Sequence, residues 1–369
     1  MQGELIVLSH LRWAWVWQRP QHLVSRLGRG RRTWFVEEPW PGDVSGPRLG
    51  TSVEDGVTRV WLDVPDPGFH VGFDAGHVAA YCQQLPGLVG PGAGDRVVWL
   101  YTPLALEAAL ALEPTVLVYD VMDDLASFKD ASPSLVAAQE ATLRAADVVF
   151  AGGPSLHRSV LQRGRHDAHL FPSGVEPEHY ERARSFDVRG DRPVAGYVGV
   201  IDERIDLDLV AGVAAALPDW EVRMVGPVAK IDPATLPRAE NITYTGPKPY
   251  SRLPAVMAGF DVALMPFASN EATRSISPTK TLEYLAAGLP VVSTPVPDVV
   301  TQFSAVVDVQ DEPLGFADAC RGVHRHDRRR RDDRVRPLLY EHHWDTITDR
   351  MAAILARASV QPRNQEMPA

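Results

Sequence analysis

SISPTKTLEYLAAGLPVVSTP, residues 275–295, reads as a polar loop, a short helix and a buried strand. Ser277 suits an N-cap, Pro278 suits the first helical turn, and Gly288 is placed to end the helix. Leu282, Leu285 and Ala286 make an apolar stripe, and Pro290, Val291, Val292 and Ser293 follow as a strand. Lys280 and Glu283 stand off the stripe. Backbone N–H groups at such a helix start, from Ser275, Ile276 and Ser277, attract phosphate, and Lys280 is near enough to reach its oxygens. A carboxylate one turn further in, Glu283, accepts hydrogen bonds from sugar or ribose hydroxyls. The combination suits the diphosphate of a nucleotide sugar. The same residues also read as a surface lysine, an exposed helical glutamate and a cap.

Outward from this stretch, strand and helix patterns alternate in two series. The first has short apolar runs at 5–8, 34–36, 97–100, 116–119 and 148–150, with helices starting near Pro20 and at Ser132-Pro133. The second restarts at Ala195 to Gly199, continues through a helix over 207–217, and has further strands at 222–225, 242–244 and 262–265. Runs of this length and β-branched content suit buried parallel strands. Alternation of this kind predicts an α/β chain of two doubly wound domains, whose ligands bind beyond the carboxyl ends of the strands. The polar stretch 176–192 reads as a linker between a domain over 1–175 and a second over 193–340. The tail 359–369 reads as disordered.

Several stretches resemble retaining glycosyltransferases of the GT-B fold, and one bacterial group of them in particular. They are VWQRPQHL (16–23), YDVMDDLASFK (119–129), LFPSGVEPEHY (170–180), GVIDERIDLDL (199–209), VGPVAKIDPATLP (225–237) and ALMPFASNEATRSISPTK (263–280), besides the helix and PVV strand described above. The resemblance implies a GT-B architecture of two Rossmann-like domains facing a cleft. The N-terminal domain would lie on the acceptor side, the C-terminal domain would bind the nucleotide sugar, and a last helix over 341–358 would pack back on the first domain. It implies transfer of a sugar from a nucleoside diphosphate to an acceptor hydroxyl with retention, by a front-face route without a protein nucleophile. The broader family carries two glutamates separated by seven residues. Glu283 fits the second, Ser275 stands where the first would be, and Glu271 falls four residues early.

The remaining candidates sit in loops after strands. Gly199, ending its strand, and Arg204 in Asp202-Glu203-Arg204 fall where the resemblance places a donor-phosphate clamp. Arg204 reads equally as a surface ion pair. Lys230 and Gly246 follow the next two strands, on the nucleobase or ribose side. In the first domain, Trp13, Trp15 and Trp17 alternate between the first strand and a helix near Pro20. Aromatic faces suit sugar rings, and an arginine before a helix start, Arg19, suits phosphate. His10 shares this loop. Some of the tryptophans also read as core. Asp120, Asp123 and Asp124 follow the strand ending at Tyr119 and read as contacts to sugar hydroxyls or as helix caps. Catalytic roles are expected among His10, Arg19, Asp120, Arg204 and Lys280, and acceptor contacts among the tryptophans and Asp123.

Composition narrows the partners. Of the 369 residues, 45% are hydrophobic and 23% charged, as in a soluble globular protein. A formal net charge of −10 argues against a nucleic-acid partner. Cys82 and Cys320, too few for a disulfide framework, suit a reduced cytoplasmic setting. No leader and no apolar run of about 18 residues is legible. The charged run 321–336, including Arg328 to Arg331, reads as a solvated face or as a peripheral contact at the inner membrane surface. No metal or other cofactor is expected. The acceptor, a saccharide, a lipid-linked saccharide or a small natural product, is not legible. A sugar-nucleotide 2-epimerase and a non-catalytic nucleotide-sugar-binding protein are the alternative readings.

Overall fold

The computed structural model describes residues 3–360 except 16, 67–71, 93, 124–131, 189, 271–272, 274–275, 277–278 and 325–327, and the side chains at 323–324 and 328–331. Ser275, Ser277 and Asp124, and the expected tail from 361 onward, lie outside the described residues. Two compact units result, Met1–Phe171 with Ile347–Ala369, and Pro172–Thr346.

The first unit is built on a sheet in which β1 (Gly3–Leu8) lies between β2 (Arg32–Val36) and β6 (Asp95–Leu100). Beyond β2 come β5 (Val57–Pro65) and β3 (Trp40–Gly42). Beyond β6 come β7 (Val116–Val121), β8 (Val148–Ala151) and β9 (His169–Leu170). These pairings are parallel, whereas β4 (Arg48–Glu54) pairs antiparallel with β5. The central strands are near-continuous apolar runs because helices cover both faces, and Leu5, Ile6, Val7 and Leu8 are fully buried.

The β4–β5 hairpin was not legible in the sequence. Asp55 and Gly56 both take positive φ, 51° and 78°, as a tight two-residue turn requires. It escaped notice because β4 is half-exposed and polar, with no apolar run to mark it.

The second unit has one parallel sheet in the order β12 (Ile242–Tyr244), β11 (Glu221–Val225), β10 (Val194–Val198), β13 (Val262–Met265), β14 (Val291–Ser293), β15 (Asp308–Val309). In chain order this is 3-2-1-4-5-6, the doubly wound arrangement whose order reverses between β10 and β13. Between β13 and β14 runs the helix Thr279–Ala286. Gly288 ends it with φ 79°: Leu289 N–H reaches Tyr284 O (2.9 Å) and Gly288 N–H reaches Leu285 O (3.0 Å), the paired bonds of a Schellman stop. A Cβ at Gly288 would collide with the Arg184 guanidinium.

The stretch read as a linker is ordered where described. Pro177–Glu181 is helical, a 3₁₀ turn spans Arg182–Ser185, and both pack within the second unit. The charged run lies in the helices Pro313–His324 and Arg328–Glu341, and the last helix spans Trp344–Ala358.

Candidate functional site

At the order reversal of the second sheet, the chain leaves β10 through Gly199 and leaves β13 through Pro266, and the two exits are laced together. Asp206 N–H donates to Pro266 O (2.9 Å) and Ala268 N–H to Arg204 O (2.8 Å). The Asn270 amide donates to Glu203 O (2.8 Å). Asn270 and Thr273 cap one another's backbone N–H groups, each at 3.1 Å. Gly226, with φ 151°, brings the exit of β11 against Gly199; a Cβ there would strike the Gly199 carbonyl. Glycine is required at this position because the backbones themselves are in contact.

Arg204 is held rather than loose. Its Nη2 and Nε lie 2.6 and 3.1 Å from Asp202 Oδ2, and the buried Asp202 also accepts the Arg204 N–H. The Arg204 side chain is still 35% exposed, so the pair fixes its direction while leaving a cationic surface at the crevice. Lys230 takes φ 59° and is 71% exposed, with its ammonium 3.9 Å from Glu203. Gly246 turns the chain after β12 with φ 66°. Ile276 is half-buried against the core of this unit.

The helix Thr279–Ala286 is aimed by its buried face. Leu282, Tyr284, Leu285 and Ala286 enter the core. Tyr284 caps the end of β10, accepting Val198 N–H (2.8 Å) and donating back to Val198 O (3.3 Å). Thr281 donates to the Met265 sulfur at 3.1 Å. Lys280 and Glu283 are left on the other side, paired at 3.0 Å. Glu283 is only 15% exposed, and burying a carboxylate so far demands partners. One is Lys280. The helix Pro177–Glu181 packs against this helix, a contact with no signal in the sequence because the two lie about a hundred residues apart. Its buried Tyr180 meets the Tyr250 ring edge-on at 6.0 Å. Tyr250 donates to Glu176 at 2.7 Å.

In the first unit the corresponding reversal falls between β1 and β6, and His10 stands there beside Tyr101. Burial holds its imidazole below the usual histidine range, against the opposing pull of Asp123 and the Tyr101 backbone. It is therefore mostly neutral at pH 7. Among the described residues its Nδ1 has no hydrogen-bond partner.

Arg19 and Asp120 are engaged with each other. Arg19 Nε and Nη2 meet the two carboxylate oxygens at 2.9 and 2.8 Å, and Nη1 donates to Phe171 O at 2.8 Å. Both side chains are fully buried, so this geometry braces the helix Arg19–Leu27 against β7 rather than presenting either group to a ligand.

The three tryptophans divide. Trp13 is buried, edge-on to Trp17 and Phe35. Trp17 is half-buried and donates to His22 Nδ1 at 3.2 Å. Trp15 is 68% exposed. The buried Arg12, whose guanidinium donates to Glu38 O and Pro39 O, lies 5.7 Å from the Trp15 ring and 4.1 Å from that of Trp40. Of the three, Trp15 alone offers an open aromatic face.

Among the described residues no group of three His, Cys, Asp or Glu side chains is placed to hold a metal, and no helix is long and apolar enough to cross a membrane. A pocket lined by Phe186, Met257, Phe260 and Leu289 opens at the amino ends of β13 and β14, away from the loops described above.

Residues 192–326 match the family model described as Glycosyl transferases group 1. Over 195 residues the chain is 29% identical to the Bacillus subtilis (strain 168) protein named "Putative teichuronic acid biosynthesis glycosyltransferase TuaH", a match covering 49% of each chain. The chain thus spans about half the length of this curated relative. Solved structures similar over nearly the whole chain include one from E. coli described as trehalose-6-phosphate bound with UDP-2-fluoro glucose (TM-score 0.71, 12% identity, 99% of this chain and 100% of that one). A sucrose-phosphate synthase from Thermosynechococcus elongatus is another (TM-score 0.69, 14% identity, 96% and 98%). A UDP-forming α,α-trehalose-phosphate synthase from Burkholderia vietnamiensis is a third (TM-score 0.68, 16% identity, 96% and 99%). The fold is GT-B.

Proposed function

We propose that this GT-B chain transfers a sugar from a nucleoside-diphosphate sugar to an acceptor hydroxyl, with retention at the anomeric carbon. The observation that carries the reading is the Lys280–Glu283 pair on a helix that begins beside the β10–β13 reversal, inside the matched domain. Glu283 accepts the ribose hydroxyls. Lys280 and the Asp202-directed Arg204 face the diphosphate, whose negative charge grows as the glycosidic bond breaks. Fixed cations there lower the barrier because they need no reorganisation during the reaction. This arrangement neutralises the leaving group without a metal ion. Gly199 and Gly226 keep the crevice floor free of side chains. On the first unit, the neutral imidazole of His10 and the face of Trp15 are suited to acceptor hydroxyls and a sugar ring. Such contacts act by orienting the acceptor.

The test is turnover of UDP-, GDP-, dTDP- and ADP-sugars with and without saccharide acceptors, followed by nucleotide release and by the anomeric configuration of the product. Release of one nucleoside diphosphate, with an α-linked product from an α-linked donor, is the expected result. Conversion of a sugar nucleotide to its epimer without acceptor would replace the proposal, and absence of any turnover across the panel would remove it.

A further inference from the structure

Trp15 has a neighbour of its own kind on the surface of the first unit. Trp40, opening β3, is 45% exposed, and the buried Arg12 lies against both rings. Large exposed aromatic side chains are informative when they lie together and are held in place. Here Arg12 does the holding. Its guanidinium meets Glu37 (3.5 Å), Glu38 O (3.1 Å) and Pro39 O (2.9 Å). The buried Glu37 is itself fixed by Arg59 (2.9 Å) and by the Trp13 N–H (3.0 Å). Arg12 thus backs the Trp40 ring at 4.1 Å. Because the same guanidinium lies 5.7 Å from Trp15, the two ring centres are within about 10 Å of each other.

The row continues across the strands. Alternation along β5 sends Val60, Leu62 and Val64 into the core and leaves Arg59, Trp61 and Asp63 on the other face. The register sets Trp40 beside Asp63. The Trp61 indole donates to Asp63 Oδ1 at 2.9 Å, which leaves the second carboxylate oxygen for a ligand. Trp61 lies over its register partner on β4, Gly50, where a Cβ would come within 2.5 Å of the ring. At the sheet edge the exposed Arg48 stands opposite Asp63. From the exit of β1 to the edge strand the surface therefore carries three tryptophans, with Asp63 and Arg48 set among them.

We propose that this row is a saccharide subsite: Trp15, Trp40 and Trp61 stack on successive rings of an acceptor chain, and Asp63 and Arg48 bind its hydroxyls. It rests on the reading of the β1 exit as the acceptor side, and it narrows the acceptor to a saccharide of two or more rings. A compact apolar acceptor gains most from an enclosed, largely apolar pocket. A pyranose chain has C–H faces for aromatic rings and hydroxyls at its edges, which matches open rings interrupted by fixed polar groups. The rings are braced before the ligand arrives, so little ordering remains to be done on binding.

The test applies the full chain to a glycan array of mono-, di- and longer saccharides, then titrates the best-bound glycan calorimetrically into the wild type, Trp40→Ala, Trp40→Phe and Trp15→Ala. The wild type should bind glycans of two or more rings in preference to monosaccharides. Trp40→Ala and Trp15→Ala should each weaken the titrated glycan about tenfold, and Trp40→Phe, which keeps an aromatic face, should stay within about threefold. Urea unfolding is read alongside; should Trp40→Ala be unfolded, Trp15→Ala, at a side chain 68% exposed, carries the same test. A folded wild type that binds no glycan, or binds monosaccharides as tightly as longer chains, would overturn the proposal. So would folded alanine variants that bind as tightly as the wild type. Titration of the wild type with UDP, GDP, dTDP and ADP keeps the two readings apart. A nucleotide bound and no glycan bound removes the subsite and leaves the donor reading standing. A glycan bound through the tryptophans and no nucleotide bound does the reverse.

Discussion

Glu38, at the exit of β2, is pushed up to about 7 by burial, against the opposing pull of Arg12. Its folded value lies above the ordinary value of 4.5, so its stabilising contribution is complete below that value and is lost as pH rises through about 7. Glu38→Gln has no charge to bury. The stability of this variant relative to the wild type should therefore increase between pH 5 and pH 8 in urea unfolding; a difference that stays flat with pH would contradict the assignment. At this scale the sequence was legible only where spacing carried the information. Lys280 and Glu283 stand three apart on one helix face, and that face could be read. Arg19 and Asp120 are 101 residues apart, so nothing local showed that each was already satisfied by the other. Tyr180 was quoted within a motif but given no role, because Tyr250 and the helix Thr279–Ala286, against which its own element packs, are distant in sequence.

Elements were more legible than residues. The helices from Ser132-Pro133 and over 207–217 start at side-chain caps, with Ser132 accepting Leu135 N–H at 3.2 Å and Asp206 accepting Leu209 N–H at 2.8 Å. Most of the parallel strands announced themselves as apolar runs, whereas β3, β5, β9 and β15 did not. What escaped was amphipathic and half-exposed, as with β4, or helical in a polar stretch, as with Pro177–Glu181. The bracing role of Arg19 also belongs to this scale, since it ties a helix start to β7. Arg19→Ala leaves Asp120 buried and uncompensated and should cost about 3–5 kcal/mol in denaturant unfolding. Lys280→Ala breaks a partly exposed pair and should cost about 1 kcal/mol or less. Equal costs for the two would overturn the division between framework and ligand-facing residues.

Across the whole molecule, alternation of strand and helix was enough to indicate two doubly wound units, and the GT-B fold follows from the structural likeness over nearly the full chain. Strand order was not legible, because connection lengths do not reveal on which side of β10 each later strand is added. That order matters most for function: it opens the crevice between β10 and β13 and brings the helix Thr279–Ala286 to its rim. The proposed donor site lies on the second unit, where residues 192–326 match the family model. The most direct test is calorimetric titration of the full chain with UDP, GDP, dTDP and ADP, with EDTA and then with magnesium, for the wild type, Lys280→Ala and Glu283→Ala. One nucleoside diphosphate should bind in EDTA, and its affinity should fall about tenfold or more in each variant. A folded wild type that binds none of the four, or variants that bind as tightly as the wild type, would contradict the placement of the donor site on this helix.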